Sequence, residues 1–289
     1  MQEHDWSASP LGAPATWPQS LRSVVGLLLG SKFPMFVAWG AELGFLYNDA
    51  YAEILGAKHP TALGGRFPNI WAEIWPDISP LIDAAMAGEA TYRENLPLVL
   101  NRKGFEEQTW FTFSYSPVRD ESGRVAGMFC ACTETTGKVQ AEQRARFHIE
   151  LSEQLASLSE PRLMTLVAAR ALGTHIGSDR VGYGEVDATE QVVAVEEDWT
   201  RDTAIASLAG EARILEAFGP AVIAELRSGR TLIVADCLTD PRVGAAHAAT
   251  WAGIGCRSLI VTPLIKEGRF KALLYVHEAT PRHWTASEV

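Results

Sequence analysis

The chain has 289 residues, of which 47% are hydrophobic and 21% charged, and its formal net charge is −10. This length suits one or two globular domains whose cores need no disulfide or metal for stability. Because 35 acidic residues outnumber 25 basic ones, the electrostatic field disfavours broad nucleic-acid binding, and no nucleic-acid partner is expected.

The first third of the chain predicts one long helix, two strands and several short helices. The long helix should run from Thr16, a candidate N-cap, to about Gly30, because apolar residues recur at helical spacing. Two strands separated by a glycine-bounded turn follow at Phe33–Trp39 and Phe45–Asn48. Short helices then continue to Gly88, which is typical of a helical layer covering one face of a sheet.

Three longer strands should come next, at Thr91–Leu100, Thr109–Pro117 and Val125–Thr133. In the middle strand, aromatic and small polar residues alternate, so Phe111, Phe113 and Tyr115 should share one face. Cys130 and Cys132 are likewise two residues apart in a strand, which indicates a buried structural role for both thiols.

Residues 137–159 read as a charged helix with one apolar stripe, formed by Phe147, Leu151, Leu155 and Leu158. The stripe fits two readings: the helix docks on its own domain, or it pairs with a second copy of the chain as a coiled-coil seam.

The second half predicts an antiparallel sheet flanked by helices, which together with the first half gives an α+β fold class. Helices are expected at Leu163–Ile176, Ile214–Phe218, Ala221–Arg227 and Gly244–Ala252. Strands are expected at Val181–Val186, Val192–Trp199, Thr231–Ala235, Ser258–Leu264 and Phe270–Val276.

Several classes of site are excluded by the sequence. No apolar run approaches the roughly 20 residues of a membrane span, and residues 1–5 do not resemble a secretory signal. Cys130, Cys132, Cys237 and Cys256 form no metal-like group with histidine, so a reduced, cytoplasmic chain without a metal site is expected. No nucleophile–base pair or pair of catalytic carboxylates can be placed, so no catalytic residue is predicted.

Segments in the two halves of the chain resemble two known domain families. The segments "FPMFVAWGAELGFLYNDAYAEILG" and "RDESGRVAGMFCACTETT" resemble the opening and the closing hairpin of a PAS domain. The segments "SDRVGYGEVD", "RSGRTLIVADCLTDPRVG" and "IGCRSLIVTPLIKEGRFKALLYVHEATPRHWTASEV" resemble a GAF domain. The leader "DWSASPLGAPATWPQSLRSVVGLLL" resembles the start of a group of bacterial sensor histidine kinases.

The resemblance implies a leader and helix at residues 1–32, a PAS domain at 33–136, a linker helix at 137–159 and a GAF domain at 160–289. The GAF domain is expected to be truncated within a C-terminal helix capped by Thr285, and the kinase core is expected to lie outside this chain. The implied function is sensory input to a two-component histidine kinase, in a homodimer that addresses a response regulator through the missing part. The alternatives are a protein-interaction scaffold, or input to a phosphatase or nucleotide cyclase.

Each implied domain offers candidates for lining a ligand pocket, against the alternative that they are ordinary core residues. The first domain offers Trp39, Tyr47, Phe113 and Tyr115, and the second offers Tyr183, Trp199, Cys256 and Tyr275. These are large or polar-tipped side chains on predicted strands, as small-molecule sites require.

No cofactor is expected, because the residues that could hold a bilin, a flavin or a haem do not fit these groups. A bilin is not expected, because neither Cys237 nor Cys256 matches an attachment position and no Cys-His pair is present. A flavin is not expected, because no cysteine stands in the required Asn-Cys-Arg-like context. Haem ligation through His59 is not expected either, because His59 precedes Pro60 in a glycine-rich stretch.

Overall fold

The computed structural model describes residues 4–285 and 288–289 and divides into two compact units, 1–142 and 143–289. Each unit is built on one antiparallel sheet with helices beside it, so the α+β prediction is confirmed. Within the predicted start of a C-terminal helix, at Trp284–Val289, residues 286–287 lie outside the described part of the chain.

The first unit contains a five-stranded sheet in the order β2-β1-β5-β4-β3. Its strands are β1 Met35–Trp39, β2 Gly44–Tyr47, β3 Thr91–Leu100, β4 Glu107–Arg119 and β5 Val125–Glu134. Its helices are α1 Gln19–Gly30, α2 Asp49–Leu55, α3 Phe67–Ile70 and α4 Trp75–Met86, with 3-10 turns at Pro14–Thr16, Gly56–Lys58 and Ala72–Ile74.

The two faces of the first sheet are covered differently. One face packs against α2 to α4 in an aromatic core, where Phe36 lies 4.9 Å from Phe67 and 5.0 Å from Phe45 between ring centroids. The other face packs against α1 and the leader, through Trp17 and Leu21 among others. Phe111, Phe113 and Tyr115 alternate as predicted and all point into the aromatic core.

Asn48 organises the entry to the helical layer. Its side-chain oxygen caps α2 by accepting the backbone N–H of Tyr51 at 3.0 Å, and its amide donates to Phe33 O at 2.7 Å. The oxygen and the nitrogen of this buried amide both bond to backbone groups that would otherwise need water. These bonds fix the backbone where the strand leads into the helix.

The second unit contains a six-stranded sheet in the order β8-β7-β6-β11-β10-β9. Its strands are β6 Arg180–Val186, β7 Val192–Thr200, β8 Glu211–Ile214, β9 Leu232–Val234, β10 Ser258–Lys266 and β11 Arg269–Glu278. Its helices are α6 Pro161–Ile176, α7 Pro220–Arg227 and α8 Ala248–Gly253, with a 3-10 turn at Leu215–Phe218, and α5 Thr136–Ala156 joins the two sheets in sequence.

Three local predictions are wrong. Thr16 does not cap α1, because its hydroxyl donates to Ala13 O at 2.8 Å within a 3-10 turn and the helix begins only after Pro18. Ile214 ends a strand rather than starting a helix, because the short segment β8 pairs with β7. The linker helix ends at Ala156 rather than near residue 159, so Leu158 lies beyond it.

Candidate functional site

A small cavity lies inside the aromatic core of the first unit, with a volume of about 40 Å³. Polar tips converge on it, because Tyr51, Trp71 and Tyr115 all line it. Trp71 Nε1 is buried there, with the Tyr51 hydroxyl as its neighbouring hydrogen-bonding group. Burial also raises the pKa of the Tyr51 and Tyr115 hydroxyls well above their ordinary value, so both stay protonated donors.

The four residues proposed for this cavity are placed in different surroundings. Phe113 and Tyr115 line it from β4. Tyr47 is buried in the same core but its hydroxyl pairs with His59 Nδ1 at 2.8 Å, and burial raises its pKa to about 12. Trp39 lies on the opposite face of the sheet, against the α1 side.

A second cavity, of about 60 Å³, lies in the core of the second unit between its sheet and α7 and α8. Its walls are aliphatic and aromatic, and the residues that line it are Val193, Val195, Leu208, Arg213, Leu215, Phe218, Val222, Ile223, Leu226, Trp251, Ile254, Val261, Leu273, Tyr275 and His277. Polar groups are therefore few, and their positions decide what this cavity can bind.

Arg180 and His277 form a buried polar pair beside this cavity. The Arg180 guanidinium donates to Ala206 O at 2.6 Å and Ile254 O at 2.7 Å, and lies 3.0 Å from His277 Nδ1. Arg180 is only 2% exposed, and among the described residues it forms no ion pair and its Nε has no hydrogen-bond partner. This leaves a buried positive charge that is paired with carbonyl dipoles rather than with a carboxylate of the described part of the chain.

The Arg180 guanidinium also sets the state of His277. Burial, with a contribution from the nearby cation, lowers the pKa of His277 well below its ordinary value, so the ring is neutral. A guanidinium only donates, so Nδ1 must accept and Nε2 must carry the proton. The ring lines the cavity and stacks on Tyr275 with centroids 4.6 Å apart, which makes it a fixed N–H donor in a mainly apolar lining whose other polar side chains are Arg213 and Tyr275.

The four residues proposed for the second cavity are also placed differently. Tyr275 lines it and donates its hydroxyl to Asp198 Oδ2 at 3.2 Å. Cys256 is buried in the core nearby, whereas Tyr183 lies in a surface cleft with Glu185. Trp199 lies on the other side of the sheet, against Gly173, where an added Cβ would come within 2.1 Å of its ring.

Arg282 ties the segment that follows β11 to the end of α6. It donates to Ile176 O at 2.7 Å, pairs with Glu278 and Glu288, and its guanidinium lies 4.6 Å from the Trp284 ring centroid. Burial raises the pKa of Glu278 to about 7, although Arg282 opposes the shift. A carboxyl that titrates near neutrality therefore lies at the point where the sheet leads into the C-terminal segment.

The proposed seam residues lie on α5 and just beyond it. Phe147 stacks on His175 of α6 with centroids 4.3 Å apart, and Phe147 and Leu151 line a groove between α5 and α6. Leu155 and Leu158 are partly exposed. Pairing with a second copy through these residues stays a prediction.

The predicted pocket residues did not include Trp71, Arg180, Trp251, His277 or Arg282. A charged residue at the start of an apolar strand, as in "SDRVGY", is a signal that could have indicated Arg180. The other side chains come from separate segments that meet only in the folded unit, so spacing along the chain could not reveal them.

Each half of the chain matches a known domain family. The PAS fold family model matches residues 35–140, and the GAF domain family model matches residues 164–289. No curated protein shows a significant sequence match.

Solved structures with similar backbones include phytochrome fragments. The chromophore-binding domain of the bacteriophytochrome RpBphP3 from R. palustris is 15% identical and matches 89% of this chain and 87% of its own, with a TM-score of 0.46. That of Stigmatella aurantiaca bacteriophytochrome is 13% identical and matches 88% of both chains, with a TM-score of 0.45. The phycocyanobilin-bound GAF domain of a cyanobacterial phytochrome is 17% identical over 52% of this chain and 85% of its own, with a TM-score of 0.42.

These structures correct the expectation that bilins can be set aside. Structures similar to this chain include one with bound biliverdin and two GAF domains with bound phycocyanobilin and phycoerythrobilin, so the prediction of no cofactor is wrong as an exclusion. The geometry sets a condition on any bilin. The cavity of about 60 Å³ is smaller than the roughly 300–1,000 Å³ of sites for drug-sized ligands, so its walls would have to move apart.

Among the described residues, no helix combines the length and apolar character that crossing a membrane requires.

Proposed function

We propose, starting from the membership of this chain in both the PAS-fold and the GAF-domain families, that it is a sensory input module of a signalling protein. We further propose that its signal includes a small molecule bound in the cavity of the GAF domain. The observation that carries this proposal is the buried Arg180–His277 pair, which places an N–H donor on the lining of a mainly apolar cavity and a positive charge beside that cavity.

The lining of the cavity indicates the class of ligand. Aliphatic walls such as Val195 and Val222 favour an apolar body, since burial of apolar surface stabilises the complex by about 25 cal/mol per Å². The His277 N–H favours one hydrogen-bond acceptor on that body, and the uncompensated charge of Arg180 favours an acceptor that is anionic. A small, mainly apolar molecule with one acceptor group, such as a short carboxylate, meets these conditions.

The route out of the GAF domain is the Arg282 junction. A ligand shifts a conformational equilibrium only as far as its affinities for the two states differ. His277 lies on the ligand cavity and its sequence neighbour Glu278 pairs with Arg282, so a shift of β11 is passed to the end of α6 and to the C-terminal segment. The Arg282 contacts are therefore the proposed link between occupancy and output.

The test compares a variant with a filled cavity with one that adds the same group elsewhere. Val222→Leu adds one methylene to the cavity wall, whereas Val276→Leu adds one on the opposite side of β11, away from the cavity. Both variants and the wild-type chain are screened by thermal shift against short carboxylates, alcohols and small aromatic acids. Compounds that raise the Tm of the wild type and of Val276→Leu but not of Val222→Leu support the proposal.

A different pattern would contradict it. Equal increases of Tm in all three proteins would show that the compounds bind outside this cavity. If no compound with a hydrogen-bond acceptor raises the Tm, the proposed class of ligand is wrong. Biliverdin is added as a separate probe, because a shifted visible absorption band on mixing would identify a bilin as the occupant instead.

A histidine kinase output is the finer part of the proposal. It is supported by the resemblance of residues 5–29 to the leaders of bacterial sensor kinases. Incorporation of phosphate from ATP into a histidine of the full-length protein, altered by Arg282→Met, is the expected result. A full-length protein with cyclase or phosphatase activity would overturn this part alone.

A further inference from the structure

Two of the four thiols, Cys237 and Cys256, lie in neighbouring segments, three residues after the end of β9 and two residues before the start of β10. β9 and β10 pair antiparallel with Leu259 opposite Val234. Past the strand, the side chains of Asp236 and Arg257 still pair, and both thiols are buried in the same core.

Neighbouring contacts hold the two segments together past the end of β9. The Arg257 guanidinium bridges to the Asp236 carboxylate, with Nε 2.9 Å from Oδ1 and Nη2 2.8 Å from Oδ2. The backbone N–H of Cys237 donates to Arg257 O at 2.7 Å, one residue out of the β9–β10 register. These bonds hold the two backbones side by side next to the thiols.

The two thiols differ chemically. The Cys256 thiol donates either to Ser258 O, at 3.4 Å, or to Cys237. The hydrogen bond from Cys256 is the largest influence on the Cys237 thiol and lowers its pKa, whereas burial raises the pKa of Cys256. Cys237 is therefore the better nucleophile and Cys256 the better placed partner.

A disulfide needs Cβ atoms roughly 3.5–4.5 Å apart. Approach of Cys237 to Cys256 is easy on one side, because residues 235–247 contain no helix or strand.

We propose that Cys237 and Cys256 are an oxidisable dithiol that reacts with hydrogen peroxide to form a disulfide. The Cys237 thiolate attacks the peroxide, the O–O bond breaks, and a sulfenic acid forms while hydroxide leaves and takes up a proton as water. Cys256 then attacks this sulfur, the S–S bond forms, and the hydroxyl leaves as water with the Cys256 proton. Two thiols thus lose two electrons in total, and one peroxide is reduced to two waters.

The disulfide would close a loop that forms part of the ligand cavity. Trp251 and Ile254 both line the cavity and both lie between the two cysteines. Oxidation would restrict the chain entropy of this loop and fix one cavity wall. The proposal concerns the thiols alone and holds whether or not the cavity binds a ligand.

The first unit provides an internal control. Cys130 and Cys132 lie two residues apart on β5, where the rise of about 3.3 Å per residue separates their Cβ atoms by roughly 6–7 Å. Burial raises the pKa of Cys130 well above its ordinary value, so its thiolate is scarce. This pair lacks the geometry for a disulfide and should stay reduced.

The test uses the whole chain and measures the thiols directly. Reduced protein is exposed to a few equivalents of hydrogen peroxide, denatured in an alkylating reagent and mapped by peptide mass spectrometry. We expect loss of two alkylated thiols and a single cross-linked product joining the peptides of Cys237 and Cys256. A Cys130→Ser/Cys132→Ser variant should give the same product, and Cys256→Ser should leave a sulfenic acid on Cys237 that a dimedone probe traps.

Two results would overturn the proposal. One is full alkylation of all four cysteines in the wild-type chain after peroxide treatment, which requires no variant to fold. The other is a cross-link or sulfenic acid that forms first at Cys130 or Cys132, since it would show that exposure during unfolding, and not the Cys237–Cys256 pair, governs reactivity.

Discussion

Replacement of Arg282 by methionine should destabilise the second unit by about 3 kcal/mol. The Arg282 side chain is 26% exposed and Glu278 only 8%, so removing the cation leaves a mostly buried carboxyl without its partner. Breaking a buried pair costs roughly 3–5 kcal/mol. Here that cost falls to roughly 1–2 kcal/mol because Glu278, whose pKa is about 7, can take up a proton. The lost bond to Ile176 O adds about 1 kcal/mol, and the lost contact with Trp284 about 0.5–1 kcal/mol.

Differential scanning calorimetry of the whole chain measures this effect. The Tm of the second-unit transition should fall by about 10 °C, since about 1 kcal/mol corresponds to roughly 3–4 °C in a unit of this size. The first-unit transition serves as the internal control, because the Arg282 partners given above all lie in the second unit. Adding Glu278→Gln should recover about 1–2 kcal/mol by removing the unpaired carboxyl. Simple additivity of the two changes would refute the coupling, and an unchanged Tm for Arg282→Met would refute the junction.

Three further predictions concern other parts of the chain. Phe36→Ala should lower the free energy of unfolding of the first unit by about 3–5 kcal/mol, because Phe36 is only 2% exposed. The control Phe33→Ala should lower it by less than about 0.5 kcal/mol, because Phe33 is 47% exposed. Similar losses of stability for the two variants in calorimetry would contradict the packing. Burial raises the pKa of Glu278 above its unfolded value, so the stability that protonated Glu278 contributes is full below about pH 4.5 and disappears as pH rises through about 7. Between pH 5 and pH 8.5 the Tm of the wild type should therefore fall more than that of Glu278→Gln. Parallel curves of Tm against pH for the two proteins would exclude this. Leu151→Glu with Leu155→Glu should convert a homodimer to a monomer by light scattering, and a persisting dimer would remove these residues from the seam.

The order and type of the long elements could be predicted from the sequence, because their patterns are local. The alternation of Phe111, Phe113 and Tyr115 specifies a strand with one buried face, and the structure has it so. Short elements were harder. β8 spans four residues, two of them charged, and it is a strand only because β7 supplies its hydrogen bonds.

The candidate site was less accessible to sequence reasoning. Tyr275 and Tyr115 follow from strand alternation, but Trp39 and Trp199 occupy the outer faces of their sheets, where helices cover them. Which face of a strand meets a cavity depends on the helices beside it, and that is a tertiary property. Arg180 and His277 lie 97 residues apart, and the register of β6 with β11 alone brings them together.

The central claim is that the GAF cavity binds the small-molecule signal, and calorimetric titration tests it most directly. The strongest compound from the thermal-shift screen is titrated into the wild type, Val222→Leu and Val276→Leu. Filling part of a cavity of about 60 Å³ should weaken binding to Val222→Leu at least tenfold, about 1.4 kcal/mol, with Val276→Leu unchanged. Equal affinities for all three proteins would contradict the claim.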